Sequence, residues 1–171
     1  MKIDTIFAGY LFAFHYDGEA DNELDRLMDL WTNVRYVKLF AQQNNKADIQ
    51  TFVTNRLDDA DEIQDAIDEI SKNNNLLNTF FLPLNNDETG ARILSLQKGK
   101  KKHNYLRLYA IRIDDNCFVI TGGAIKMSLL MKDHPLTLKE LEKLSWAKSY
   151  LQDNGVFDND SFFEFLTENN D

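Results

Sequence analysis

The hydrophobic period of this chain changes twice, and no other feature restricts its fold as much. Leu24, Leu27, Met28, Trp31, Val34, Val37, Phe40 and Ala41 recur at steps of three and four, which puts them on one stripe of a helix. The polar run 42–46 interrupts that stripe. A second begins at Ile49 and continues through Phe52, Ala60, Ile63, Ile67 and Ile70. The acidic cluster Asp58, Asp59, Asp61 and Glu62 is expected to loosen or split this second helix. From Arg92 the period shortens: Arg92–Gln97, Asn104–Ile113 and Cys117–Met127 read as strands, the last two joined by the tight turn Asp114-Asp115-Asn116. The third run is apolar without alternation, as in a strand covered on both faces. Its Gly122-Gly123 pair predicts a bulge or a close backbone approach.

The flanks complete the pattern. Residues 6–16 read as one buried strand, with Asp21 as the N-cap of the first helix. Helical spacing returns with Leu138, Leu141, Leu144, Ala147 and Leu151. A Thr137/Glu140 capping box is expected to open that helix and Asn154-Gly155 to end it. Ser161 and Glu164 are expected to cap a short last helix bearing Phe162, Phe163 and Phe165. Strand, helix, helix, sheet, helix in that order predicts one α+β domain over 1–171. Its expected form is a small twisted, mainly antiparallel sheet packed against a two-helix hairpin, with an added C-terminal helix.

Charge is distributed unevenly. The formal net charge is -9, yet residues 92–113 hold Arg92, Lys98, Lys100, Lys101, Lys102, Arg107 and Arg112 and no acid. A basic island on an acidic body points to a polyanionic partner, or to a solvated hairpin kept soluble by its lysines. A one-residue bulge near Ala110-Ile111 would set Arg107, Tyr109 and Arg112 on one open face. With Lys126 and the Lys98–His103 loop they would form a cationic surface suited to RNA, where Tyr109 or Tyr105 stacks a base. Cleavage through the 2′-hydroxyl needs charge stabilisers and proton carriers. Arg107, Arg112 and Lys126 serve as the first; His103 or a lysine of depressed pKa serves as the second.

Other chemistries find less support. The single Cys117 allows no internal disulfide and reads as a buried thiol. Three scattered histidines have no metal-ligand spacing, and no glycine loop of nucleotide-binding type appears, so no cofactor is expected. The carboxylates lie on helix faces or in turns and read as solubilising. No signal peptide or membrane span is expected, and the expected location is the cytoplasm.

The stretch from Ile93 to about Leu151 resembles the RelE/ParE toxin superfamily, in particular its HigB-like, phage-derived branch. The matching segments are Leu106-Arg107-Leu108-Tyr109, Asp114-Asp115-Asn116, Phe118–Lys126 and Pro135–Leu144. Thr121 or Gly122 stands where that branch often has a histidine. The resemblance implies a messenger-RNA endonuclease, acting free or on the ribosome, neutralised by a protein antitoxin. It carries Arg107 over first and Lys126 next. The rival reading is a non-catalytic interaction domain, with the basic hairpin docking an acidic partner and the Phe-rich C-terminal helix covering a groove or forming a homodimer contact.

Overall fold

The computed structural model describes residues 1–84, 95–101, 103–127 and 134–169. Arg92, Lys102 and the turn-rich segment 85–90 lie outside the described residues. The chain opens with a hairpin rather than one strand: β1 (Lys2–Phe7) pairs antiparallel with β2 (Leu11–His15). Gly9 makes the reversal at φ +82°, a conformation that glycine adopts without steric cost.

Three helices follow: α1 (Glu23–Trp31), α2 (Val34–Gln43) and α3 (Ile49–Lys72). Asn22, not Asp21, caps α1 by accepting from the Asp25 amide at 3.1 Å. The expected continuous helix over 24–41 is broken at Thr32-Asn33. There the Thr32 hydroxyl donates back to the Met28 carbonyl, and the Asn33 side chain caps α2 at the Tyr36 amide. Such short polar side chains offer the backbone alternatives to a continuous helical ladder. By contrast α3 runs unbroken through its acids. Asp59 turns inward, accepting from Arg56 at 2.8 Å and from the Tyr105 amide at 3.2 Å.

A 3₁₀ turn and the short α4 (Leu77–Phe80) lead into β3 (Phe81–Pro83), then β4 (Ser95–Gly99), β5 (Leu106–Asp114) and β6 (Cys117–Ile125). The six strands form one open sheet in the order β1-β2-β6-β5-β4-β3. All neighbours are antiparallel except β2 and β6, which run parallel over Leu11–Ala13 and Phe118–Ile120. Helices α5 (Pro135–Asp153) and α6 (Asn159–Asn169) complete the chain.

Two cores sandwich the sheet. Leu27, Trp31, Phe40 and Ile63 of α1–α3 pack on Leu108, Phe118 and Ile120, and Leu144, Ala147 and Phe162 of α5 and α6 pack on Phe12, Phe14 and Val119. Hence β6 is buried throughout, as its unbroken apolar run predicts. The α5 start differs from expectation. His134 is the N-cap, its Nδ1 accepting from the Leu136 amide, so Thr137 and Glu140 are buried inside the helix instead of boxing its end. At α6 the partner of Ser161 is Asp158, whose carboxylate accepts from the Ser161 amide at 2.8 Å while the Ser161 hydroxyl accepts from the Asp158 amide at 3.0 Å. Glu164 is exposed.

Candidate functional site

The register of β5 and β6 determines which basic residues meet. Tyr109 lies opposite Gly122 and Ala110 opposite Ile120, so the bulge falls at Thr121 of β6 and not in β5. Alternation along β5 is therefore unbroken. Leu106, Leu108 and Ala110 join the α1–α3 core, and Tyr109, Ile111 and Ile113 join the α5–α6 core. Arg112 falls on the opposite face from Arg107 and Tyr109, where it pairs with Asp115 near Phe81 and Phe118. Tyr109 is 1% exposed, and its hydroxyl has no hydrogen-bond partner among the described residues. Burial pushes that hydroxyl up to about 12.

What remains of the basic surface is a ridge. Lys98 in β4 is registered beside Tyr109, Arg107 lies opposite Ala124, and the Lys126 amide donates to the Tyr105 carbonyl at 2.7 Å just past β6. Strands β4 and β5 and the residue that follows β6 thus bring Lys98, Arg107 and Lys126 together at one end of the sheet. Burial lowers the Lys98 and Lys126 ammonium pKa values. The neighbouring Lys100 and Arg107 lower both further, and Lys98 also acts on Lys126. Arg107 is half-buried and fixed by bonds from its Nη1 to the Asn104 and Leu106 carbonyls. Lys100, Lys101 and His103 are exposed beside it, with His103 at φ +63°. Lys98 belongs to β4 and not to the loop. Tyr105 is the exposed aromatic here, 52% accessible, with the Arg56 guanidinium 4.3 Å above its ring.

A second site escaped the sequence reading. Strand β2 leaves β6 after Ala13, and the polypeptide turns through Tyr16 into α1 on one face of the sheet. Strand β6 continues to Ile125 and feeds α5 on the other face. Between the two helices opens a cleft of about 580 Å³, floored by Gly123–Ile125 and walled by Leu27, Trp31, Tyr36 and Trp146.

Inside that cleft two carboxylates are buried, Glu23 at 1% and Glu140 at 7% exposure. Glu23 is fully served: Arg26 Nε donates at 2.5 Å, Arg26 Nη2 at 2.9 Å and Lys143 Nζ at 2.5 Å. Burial pushes its carboxyl up, but those donors outweigh the effect and hold it below the usual range. Glu140 is poorly served. Lys143 Nζ stands 3.4 Å from Oε1 and 3.3 Å from Oε2, and Oε2 accepts no hydrogen bond among the described residues. Burial holds this carboxyl above its ordinary range. The Tyr16 hydroxyl donates to the Thr121 carbonyl at 2.6 Å, and Lys143 Nζ lies 4.9 Å from the centre of its ring.

The Glu140 carboxylate packs directly on Gly122: a Cβ there would stand 2.0 Å from Oε2, so any larger residue must push the carboxylate aside. The sequence signals touching this site are that glycine pair and Glu140, there read as half of a capping box. Both carboxylates lie in register with buried stripes, Glu23 four residues before Leu27 and Glu140 four before Leu144, but a stripe drawn through apolar residues alone passes over them and runs instead through the exposed Leu138.

Cys117 is buried, its thiol pushed up to about 12 by burial and by Asp114. Among the described residues no group of three His, Cys, Asp or Glu side chains is arranged to hold a metal, and no helix is long and apolar enough to cross a membrane. Phe162 and Phe165 fill the core, which leaves Phe157 and Phe163 as the exposed phenylalanines of the C-terminal region. No family model, curated protein or solved structure matches this chain.

Proposed function

We propose that this protein binds RNA along the Lys98–Arg107–Lys126 ridge, as the toxin of a RelE/HigB-like pair restrained by a protein antitoxin. The observation that carries the reading is the convergence of three cations from β4, β5 and the end of β6 on an acidic protein, with no carboxylate salt-bridged to Lys98 or Lys126 among the described residues. Crowded like charges cost the free protein energy that a phosphate backbone would relieve. Lys100 and Lys101 extend the ridge, and Tyr105 offers the base-stacking surface that the buried Tyr109 cannot.

Cleavage by this ridge runs through the 2′-oxygen. A neutral lysine, Lys98 in this reading, takes the 2′-hydroxyl proton as that oxygen bonds to phosphorus. The P–O5′ bond breaks, Lys126 protonates the departing oxygen, and a 2′,3′-cyclic phosphate remains. Arg107 holds the charge on the phosphoryl oxygens. Arg112 has no part in this scheme, because it lies across the sheet.

Titration of a fluorescent single-stranded RNA at several salt concentrations, together with expression in a growing culture, tests the reading. The wild type is expected to bind with a steep salt dependence and to arrest growth. Lys98→Ala/Lys126→Ala is expected to weaken binding about tenfold or more and to flatten the salt slope by roughly 0.7 for each phosphate no longer neutralised. RNA binding equal in wild type and double variant would refute it.

A further inference from the structure

A groove of about 520 Å³ opens where the end of β1 meets α1 and α3. Its origin is a bulge. Thr5 faces Phe12 and Phe7 faces Leu11, so the register skips Ile6. Strict alternation would send one of two adjacent side chains to the far side of the sheet, but here Ile6 and Phe7 both border the α1–α3 core. β1 is the outermost strand of the sheet, and both side chains stay half-buried. Met28 of α1 is half-buried beside them, and the buried Leu24 and Ile67 close the floor.

The rim carries charge of one sign. Asp21, Asp25 and Asp29 recur at four-residue steps into and along α1, and Asp68 of α3 borders the same opening. All four are exposed. Asp25 accepts from Asn22 and Asp68 from Gln64, but none of the four is salt-bridged among the described residues, and no described Lys or Arg lines the groove. An acidic rim around an accessible apolar floor is complementary to an occupant with cations beside an apolar face. A metal ion does not match it, because no three acids among the described residues are grouped to hold one.

The bulge also separates two modes of recognition. At the end of an edge strand it breaks the regular row of N–H and C=O groups that an added strand would need. Recognition through side chains remains, and an apolar stripe flanked by cations is the pattern of a basic amphipathic helix. The flexible thioether of Met28 adapts readily to such a face.

We propose that this groove docks a basic amphipathic helix of a partner protein. Its apolar stripe lies on Ile6, Phe7 and Met28, and its lysines or arginines meet Asp21, Asp25, Asp29 and Asp68. The inference is independent of the RNA reading, since β2 and β6 stand between β1 and the β5 strand that carries Arg107.

The probe is a synthetic peptide of about 14 residues, roughly four helical turns, with leucines at three- and four-residue steps and lysines elsewhere. Titrated into the ¹⁵N-labelled full chain, it should shift the Phe7, Met28 and Asp68 amides. A scrambled peptide of the same composition keeps the charge and loses the apolar face, and should bind about tenfold more weakly. Asp21→Asn/Asp29→Asn should weaken the probe about fivefold and reduce its salt dependence, the effect of two exposed ion pairs. Neither carboxylate bonds to another side chain or amide among the described residues, so the fold is retained. Met28→Gln should weaken the probe severalfold with its salt dependence unchanged. Lys98→Ala/Lys126→Ala should bind the probe as the wild type does, whatever that variant does to RNA. Groove amides unmoved at millimolar probe, equal binding of the scrambled peptide or of spermine, self-association of the chain through these amides without probe, or unaltered affinity in the Asp21→Asn/Asp29→Asn protein would overturn the proposal.

Discussion

The ridge and the cleft both collect charge, but they do so by opposite means. On the ridge, half-buried cations gather with little neutralisation, so each lysine is destabilised first by burial and then by its neighbours. In the cleft, carboxylates and cations alternate and are buried, so Glu23 is held by Arg26 and Lys143. The ridge is thus held together by the sheet despite its charges, whereas the cleft network takes part in holding α1 to α5. Surface charge crowded in this way is what the proposed RNA contact would neutralise. Buried paired charge is structural, and its unsatisfied member, Glu140 Oε2, is packed against Gly122.

Mutations should divide along that line. The largest effect is expected from Glu23→Ala, which strands Arg26 and Lys143 in a partly buried setting. Because both cations keep some access to water, we expect a loss of about 3 kcal/mol, at the low end for a broken buried pair. Urea unfolding measures it, and a loss below about 1 kcal/mol would make the network a surface feature. Gly122→Ala forces a methyl into the Glu140 carboxylate and should cost roughly 1–3 kcal/mol by overpacking. The ridge variant Lys98→Ala/Lys126→Ala should change stability by only about 0.5 kcal/mol or less while its RNA affinity falls. A large stability loss there would erase the contrast between the two regions.

The smallest expected effect concerns pH. His15 Nε2 lies 2.8 Å from the Glu19 carbonyl and Nδ1 3.0 Å from Asp4, so both ring nitrogens face acceptors and favour the imidazolium. The bond to Glu19 and then that to Asp4 raise its pKa above the ordinary 6.5. A raised pKa makes its stabilisation fully present below the unfolded value and lost as pH rises through the folded one. The melting-temperature advantage of wild type over His15→Gln should therefore be larger at pH 5 than at pH 9. An advantage that grows with pH would reverse the assignment. Should the ridge cleave RNA, its rate should rise with pH as Lys98 loses its proton, with that rise displaced downward by the lowered lysine pKa.

Local signals in the sequence carried much of the fold. The Leu24–Ile70 stripes marked α1–α3, Asp114–Asn116 marked the β5–β6 turn, and Gly155 marked the end of α5, because each depends on neighbours a few residues apart. Where two local signals compete, periodicity misleads. Thr32-Asn33 breaks a stripe that periodicity alone would continue, and Gly9 folds an apolar run back on itself. The bulge was expected in β5 but lies in β6, since register depends on both strands and one strand cannot reveal it. That shift is why Arg112 faces away from Arg107.

Composition and period alone determined that the chain would be an α+β protein with a basic segment on an acidic body. Tertiary structure decided which of those cations meet, that Tyr109 is buried, and that Glu23 and Lys143, 120 residues apart, share a 2.5 Å bond. The physical reason is range. Periodicity and capping act over a few residues, whereas the position of a charge in a cleft depends on how β2 and β6 part and on the faces their helices take.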